Sequence, residues 1–144
     1  IAHSRDFSLV ALAAHAEVGV DIEWHSPRRH LAGLAEVCFS LAEQTAWAAC
    51  PAAGREAAFY RLWACKEAVV KAWGTGIAAG LGRFDVAVAA DGGVHLAGVQ
   101  AALAPRGPWT LVELAVPEGY SAALAVGPRF GAAVDPLYAV GRVR

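Results

Sequence analysis

The stretch "FYRLWACKEAVVKAWGTG", Phe59 to Gly76, decides how the rest of the chain is read. From Gly54 onward it reads as one long helix, with Gly74 and Gly76 as stop signals. At helical spacing Phe59, Leu62, Trp63, Val70 and Trp73 share one face. Glu67 and Lys71, four residues apart, share another with Tyr60, Ala64 and Gly74. Such a pair is ordinarily a surface ion pair worth ~0.3–0.5 kcal/mol. Lys66 is the odd residue, because its helical angle puts it inside the apolar stripe. A lysine there either carries its ammonium out to water or meets an anion such as a phosphate. Its position alone does not choose between the two.

Upstream, "GVDIEWH", Gly19 to His25, closes an apolar run with two acids one residue apart. Residues i and i+2 of a strand point to the same side, so Asp21 and Glu23 are predicted to lie together. Two carboxylates on one side repel, and a hard cation such as Mg²⁺ resolves that repulsion. On spacing alone, an exposed polar strand edge is the commoner explanation.

The remaining segments give the architecture. "FSLVALAA" (Phe7 to Ala14) and "AEVGVDIEW" (Ala16 to Trp24) are expected to form a hairpin. A loop containing Pro27 leads to a short helical segment through Glu36. "FSLAEQTAWAACP" carries a capping box, Ser40 with Glu43, and Pro51 stops that helix. Two further hairpins are expected, turning at Asp91-Gly92-Gly93 and at Pro117-Glu118-Gly119. The tail after Pro128 shows no clear periodicity. Strands, helices, strands predict an α+β fold, an antiparallel sheet packed against the long helix.

Composition narrows the function classes. With 144 residues, 57% hydrophobic, the chain suits a single domain spanning 1–144. A net charge of −1 gives no global reason to expect nucleic acid or an acidic membrane surface. The apolar runs are too short for a membrane helix, and the start does not resemble a signal peptide. Cys38, Cys50 and Cys65 have no metal or disulfide spacing and are expected to be reduced thiols in a cytoplasmic protein. His15, His25, His30 and His95 lack ligand spacing, and the glycines of "GTGIAAGLG" follow a helix, which is not the dinucleotide-binding arrangement. The chain has no methionine and begins abruptly, so a longer natural product or a removed N-terminal piece is expected.

"HS" at His3-Ser4, "GVDIE" and "FYRLWACKEAVVKAWGTGI", in that order, resemble the 4′-phosphopantetheinyl transferases of the surfactin-synthetase-activating type. The resemblance runs from Ile1 to about Phe84. Shorter holo-acyl-carrier-protein synthases share the KEA part but lack the D-I-E pairing. The resemblance implies one half of a pseudo-dimeric fold, and Mg²⁺-dependent transfer of 4′-phosphopantetheine from coenzyme A to a serine of an apo acyl or peptidyl carrier protein, releasing 3′,5′-ADP. Asp21, Glu23 and Glu67 would be the metal carboxylates, His3 and Lys66 coenzyme A ligands, and Lys71 the cation on the reacting phosphates. Glu43 matches an acid linked to the metal site or to deprotonating the carrier serine. Two departures are mild: Ala2 and Ala64 stand where serine, or serine or threonine, is usual. Members of this type are about twice as long, and the present chain matches mainly their C-terminal half. The missing half would come from another chain or from a homo-oligomer. The alternative is a non-catalytic half-domain that docks a carrier protein or partner subunit.

Overall fold

In the computed structural model, residues 1–27, 30–76, 80–99, 109–128 and 137–143 are described. The elements are β1 (Ala2–Ser4), β2 (Phe7–Leu12), β3 (Val18–Trp24), α1 (Leu31–Cys38), α2 (Leu41–Ala48), α3 (Arg55–Trp73), β4 (Asp85–Val88), β5 (Val94–Ala97), β6 (Thr110–Glu113), β7 (Tyr120–Val126) and β8 (Leu137–Arg142). All pairings among them are antiparallel, in sheets ordered β1-β2-β8, β3-β7-β6 and β4-β5. The α+β class is as expected.

Several local signals act as predicted. Ser40 caps α2, its hydroxyl accepting from the Glu43 N–H while the Glu43 carboxylate accepts from the Ser40 N–H. Gly74 ends α3 in the left-handed region at φ 68°, where a side chain would be strained. The β4–β5 and β6–β7 hairpins form, with Gly92 and Gly119 in the left-handed region at their turns. The tail supplies strand β8, which its lack of periodicity did not predict. Residues 129–136 of that tail, and 77–79 of the glycine stretch, lie outside the described residues.

The first hairpin is a correction. β2 does not pair with β3; it bonds to β1 and β8, whereas β3 pairs with β7 from Val18↔Val126 to Trp24↔Tyr120. An apolar run signals burial and leaves open whether a strand is hydrogen-bonded beside its neighbour or laid across its face. Here β2 is laid across. Leu9 packs with Val20 and Ile22 on one face of the β3–β7 sheet, together with Ala122, Leu124 and Val126. The opposite face carries Ala123 and Ala125 against Ala64, Ala68, Val69 and Ala72 of α3. The β3–β7 sheet is therefore covered on both sides, which explains why its strands are apolar at nearly every position.

The small residues set how closely helix and sheet approach. A Cβ built on Gly19 would stand 2.1 Å from the Ala68 carbonyl oxygen and 2.3 Å from the Ala72 nitrogen, so β3 lies flush on the α3 backbone. Glycine is required there for proximity, not for its dihedral freedom. The odd-numbered residues of β3 thus face the helix. Gly19 meets Ala68 and Ala72, Asp21 meets Lys71, and Glu23 meets Trp63. From 19 to 23 a strand rises about 13 Å, and nine helical residues from 63 to 72 rise about the same. The two run antiparallel in step, and acids on β3 project onto one stripe of α3.

Candidate active site

Asp21 is 3% exposed, so the polar-edge explanation fails: the residue points into the seam between β3 and α3. Its Oδ1 accepts a hydrogen bond from Lys71 Nζ at 2.5 Å, and its Oδ2 is buried without a partner. Glu67 lies one helical turn before Lys71 on the same stripe, also buried, with Oε1 unpartnered. Glu23 accepts from the indole N–H of Trp63 at 3.2 Å and from the Ser4 hydroxyl at 3.5 Å. The expected Glu67–Lys71 surface pair is replaced by Lys71–Asp21, because β3 brings a more deeply buried carboxylate to the ammonium.

The electrostatics follow from that packing. Burial drives the Asp21 carboxyl up from 3.8 to about 7; Lys71 opposes the rise, while Glu23 and Glu67 add to it. Glu67 is raised for the same first reason, with Lys71 opposing and Glu23 reinforcing. These three acids share one field with the Lys71 ammonium, which stands at the solvent edge with its side chain 37% exposed. Two desolvated oxygens without donors are a costly arrangement. As the side chains stand, no group of three His, Cys, Asp or Glu among the described residues is gathered around an ion-sized point. The donor set nevertheless fits a hard divalent cation: all oxygen, two atoms unpartnered, and a raised proton affinity that a metal would lower.

Lys66 is fully buried, and of the two readings left open for it the structure shows an anion, the Glu43 carboxylate. Its Nζ donates to both Glu43 oxygens and to the Phe84 carbonyl oxygen, each at 2.7 Å. Lys66 and Glu67 are neighbours in sequence, so the helix turns them about 100° apart: one toward α2 and β4, the other toward β3. Glu43 is likewise turned away from Asp21 and sealed. His3 is exposed on β1, and the strand alternation sets it opposite Ser4, the residue that reaches Glu23.

Two contributors lie outside the predicted site. Trp63 belongs to the predicted apolar face, yet its indole orients Glu23, and the capacity of tryptophan to donate is the signal for it. Ser4 links β1 to the end of β3, donating to Glu23 and accepting from the Trp24 N–H at 2.9 Å. Beyond β3, His25 stacks on Tyr60 at 5.3 Å and bonds through Nε2 to the Ser121 hydroxyl at 2.8 Å, while the Tyr60 hydroxyl donates to the Ser26 carbonyl. Cys38, Cys50 and Cys65 are free thiols.

Comparison with known proteins bears on this geometry. The 4′-phosphopantetheinyl transferase superfamily model matches residues 17–125, from just before β3 to the penultimate residue of β7. The 4′-phosphopantetheinyl transferase HetI of Nostoc sp. is 32% identical over 134 residues, covering 88% of this chain and 50% of that protein. The 4′-phosphopantetheinyl transferase psf-1 of Bacillus pumilus is 38% identical over 92 residues, covering 64% and 38%. The chain thus spans half or less of the length of these relatives. Among solved structures, a holo-(acyl-carrier-protein) synthase from Bacillus anthracis in complex with CoA (3′,5′-ADP) superposes with a TM-score of 0.67 at 19% identity, covering 79% of this chain and 97% of that one. The Thermotoga maritima holo-[acyl-carrier-protein] synthase gives 0.65, also at 19%. The fold is shared with the short synthases, and the matched segment holds the whole acid–lysine seam: the chain belongs to the 4′-phosphopantetheinyl transferase superfamily.

Proposed function

We propose that this chain carries the metal-binding half of an enzyme that moves 4′-phosphopantetheine from coenzyme A to a serine of an apo carrier protein. The observation that carries the reading is the pair of buried, unpartnered oxygens, Asp21 Oδ2 and Glu67 Oε1, beside Glu23 and Lys71. Asp21, Glu23 and Glu67 are the residues that would hold Mg²⁺. A bound Mg²⁺ would supply charge neutralisation at the pyrophosphate, the main demand of phosphoryl transfer.

The chain's own residues do the rest. The serine oxygen forms a bond to the β-phosphorus of coenzyme A; the bond from that phosphorus to the bridging oxygen breaks, and 3′,5′-ADP leaves with the electron pair. Glu67, with a free oxygen and a raised proton affinity, is suited to take the serine proton. Lys71, reaching from buried Asp21 to the solvent edge, is suited to meet the charge that develops on the phosphates. His3, exposed on the adjacent strand, is a candidate contact for a phosphate of coenzyme A farther from the reacting centre.

Residues 1–144 are read as one domain supplying one wall of the cleft, a second copy or another half supplying the other. Carrier proteins of fatty acid, polyketide or nonribosomal peptide synthesis are the acceptor class, and the cytoplasm is the expected location. Among the described residues no helix is long and apolar enough to cross a membrane.

The test is incubation of the full chain with coenzyme A, Mg²⁺ and an apo carrier protein. A carrier gaining the mass of phosphopantetheine, with release of 3′,5′-ADP, supports the reading. No transfer with either a fatty acid or a peptidyl carrier would sink it. One rival is a half-domain that docks a carrier protein or partner subunit without catalysis. Calorimetry separates the two: coenzyme A binding that strengthens with Mg²⁺ belongs only to the transferase.

A further inference from the structure

Glu43 and Lys66 satisfy one another completely. The Lys66 ammonium has three protons: two reach the Glu43 oxygens and the third the Phe84 carbonyl oxygen. Besides Lys66, Glu43 Oε2 accepts the Ser40 N–H and Oε1 the Val86 N–H, both at 2.7 Å. The ammonium also sits 4.4 Å from the centroid of the Phe84 ring. All the expected donors and acceptors are in use, at side-chain exposures of 0% and 3%. No proton of Lys66 is left for a phosphate, and the Glu43 carboxylate already accepts from the Lys66 ammonium and from two backbone N–H groups.

The pair also joins elements that share no backbone ladder. Ser40 caps α2 and Glu43 lies in its first turn, Lys66 is in the middle of α3, Phe84 immediately precedes β4 and Val86 lies within it. Small side chains offer few interlocking ridges, so an alanine face constrains a helix's rotation about its own axis less than a face of large side chains does. Ala64, Ala68 and Ala72 form such a surface on α3. Fixing the Lys66 side chain toward α2 and β4 fixes that rotation. With it goes the direction of Glu67, about 100° further round, and of Lys71 on the same stripe.

Resting on the transfer reading above, we propose that Glu43 and Lys66 are a positioning pair. They set the rotation of α3, and so the aim of Glu67 and Lys71 at Asp21, without touching coenzyme A or the carrier serine. An inward-facing charged pair does this where an apolar pair would only fill space, since its hydrogen bonds have direction.

The test uses Glu43→Gln, Lys66→Met and the double variant Glu43→Leu/Lys66→Met in the full chain. Three readouts are compared: denaturant stability, binding of Mn²⁺ by calorimetry, and kcat and KM for coenzyme A. Each single variant is expected to lose stability and to weaken Mn²⁺ binding by about 10–100-fold, as when a residue orienting metal ligands is removed. KM for coenzyme A should stay within about threefold in Lys66→Met, because no substrate contact is lost. In the double variant no unpaired charge is buried, so stability should return toward wild type, with kcat and Mn²⁺ affinity recovering above both singles.

Two results would overturn the proposal. One is Lys66→Met raising KM for coenzyme A tenfold or more while Mn²⁺ binding and stability hold, which makes Lys66 a phosphate ligand. The other is a double variant that folds and binds Mn²⁺ like wild type yet stays as inactive as Glu43→Gln, which makes Glu43 the base. If a single variant does not fold, the double variant decides alone. If wild type transfers nothing, the transfer reading fails, while the coupling in stability and Mn²⁺ binding still judges the clamp.

Discussion

Helix α3 carries two lysines five positions apart, and each holds a carboxylate from another element. Lys66 with Glu43 is sealed from solvent, and every donor is used. Lys71 with Asp21 stands at the solvent edge, with an unpartnered oxygen on Asp21 and another on Glu67. The chemistry of the partners is the same; their satisfaction differs. A completed buried pair can only hold structure, because opening it strands a charge. An incomplete one has capacity left for an ion, a phosphate or a proton, and burial has already raised the energy of its charged state.

The largest effect should come from breaking the completed pair on one side. Lys66→Ala leaves Glu43 buried alone and is expected to cost about 3–5 kcal/mol of stability by denaturant titration. Lys71→Ala should cost less, because the buried Asp21 it leaves behind can take up a proton near neutral pH and so does not stay an unpaired charge. Equal losses at the two sites would erase the contrast between them.

Activity should show the reverse ranking. Asp21→Ala and Glu67→Ala are expected to lower kcat of phosphopantetheine transfer by about 10²–10³-fold, the scale of removing one preorganised electrostatic group. Their metal-free melting temperatures should not fall, since each removes a desolvated carboxyl with an unpartnered oxygen. If both variants keep full activity, the seam between β3 and α3 is not the reacting centre.

A third outcome concerns pH. Asp21 has its folded proton affinity raised to about 7, so its stabilising contribution is present at acid pH and is lost as pH rises through about 7. Glu67 shifts in the same direction. In chelator, wild type is expected to gain melting temperature from pH 8 to pH 5.5 relative to Asp21→Asn, whose profile should be flatter in that window. Metal binding, which needs the carboxylates ionised, should strengthen over the same interval as pH rises. A wild-type profile identical to that of Asp21→Asn would show that burial does not control this acid.

A last test probes the seam without touching a charge. Gly19→Ala places a methyl against the α3 backbone, and about 1–3 kcal/mol of overpacking is expected. If the helix shifts to accommodate it, transfer should fall further than stability, because Asp21 and Lys71 separate.

Legibility in the sequence followed the range of the interaction. The α2 capping box, the α3 stop at Gly74 and the two turns at Gly92 and Gly119 are local, and each was predicted from neighbouring residues. The misread hairpin shows the limit. Phe7–Ala14 and Ala16–Trp24 were recognised as apolar, but stacking and pairing bury the same residues, and nothing local separates them. Lys66 stands out in the sequence as a charge in an apolar stripe, while its partner lies beyond the reach of helical spacing. For the acids, period two put Asp21 and Glu23 on one side, and the resemblance joined them to Glu67. That they would be buried and incompletely bonded was not readable from either.

The sequence by itself determined the helices, most of the strands, the family and the residue types able to do phosphate chemistry, because these depend on spacing along the chain. Only the tertiary structure decided which carboxylate each lysine meets. That choice is made by the close approach of β3 to α3 at Gly19 and by the turn of the helix between Lys66 and Glu67. Both are distances between elements far apart in sequence, set by packing and not by period.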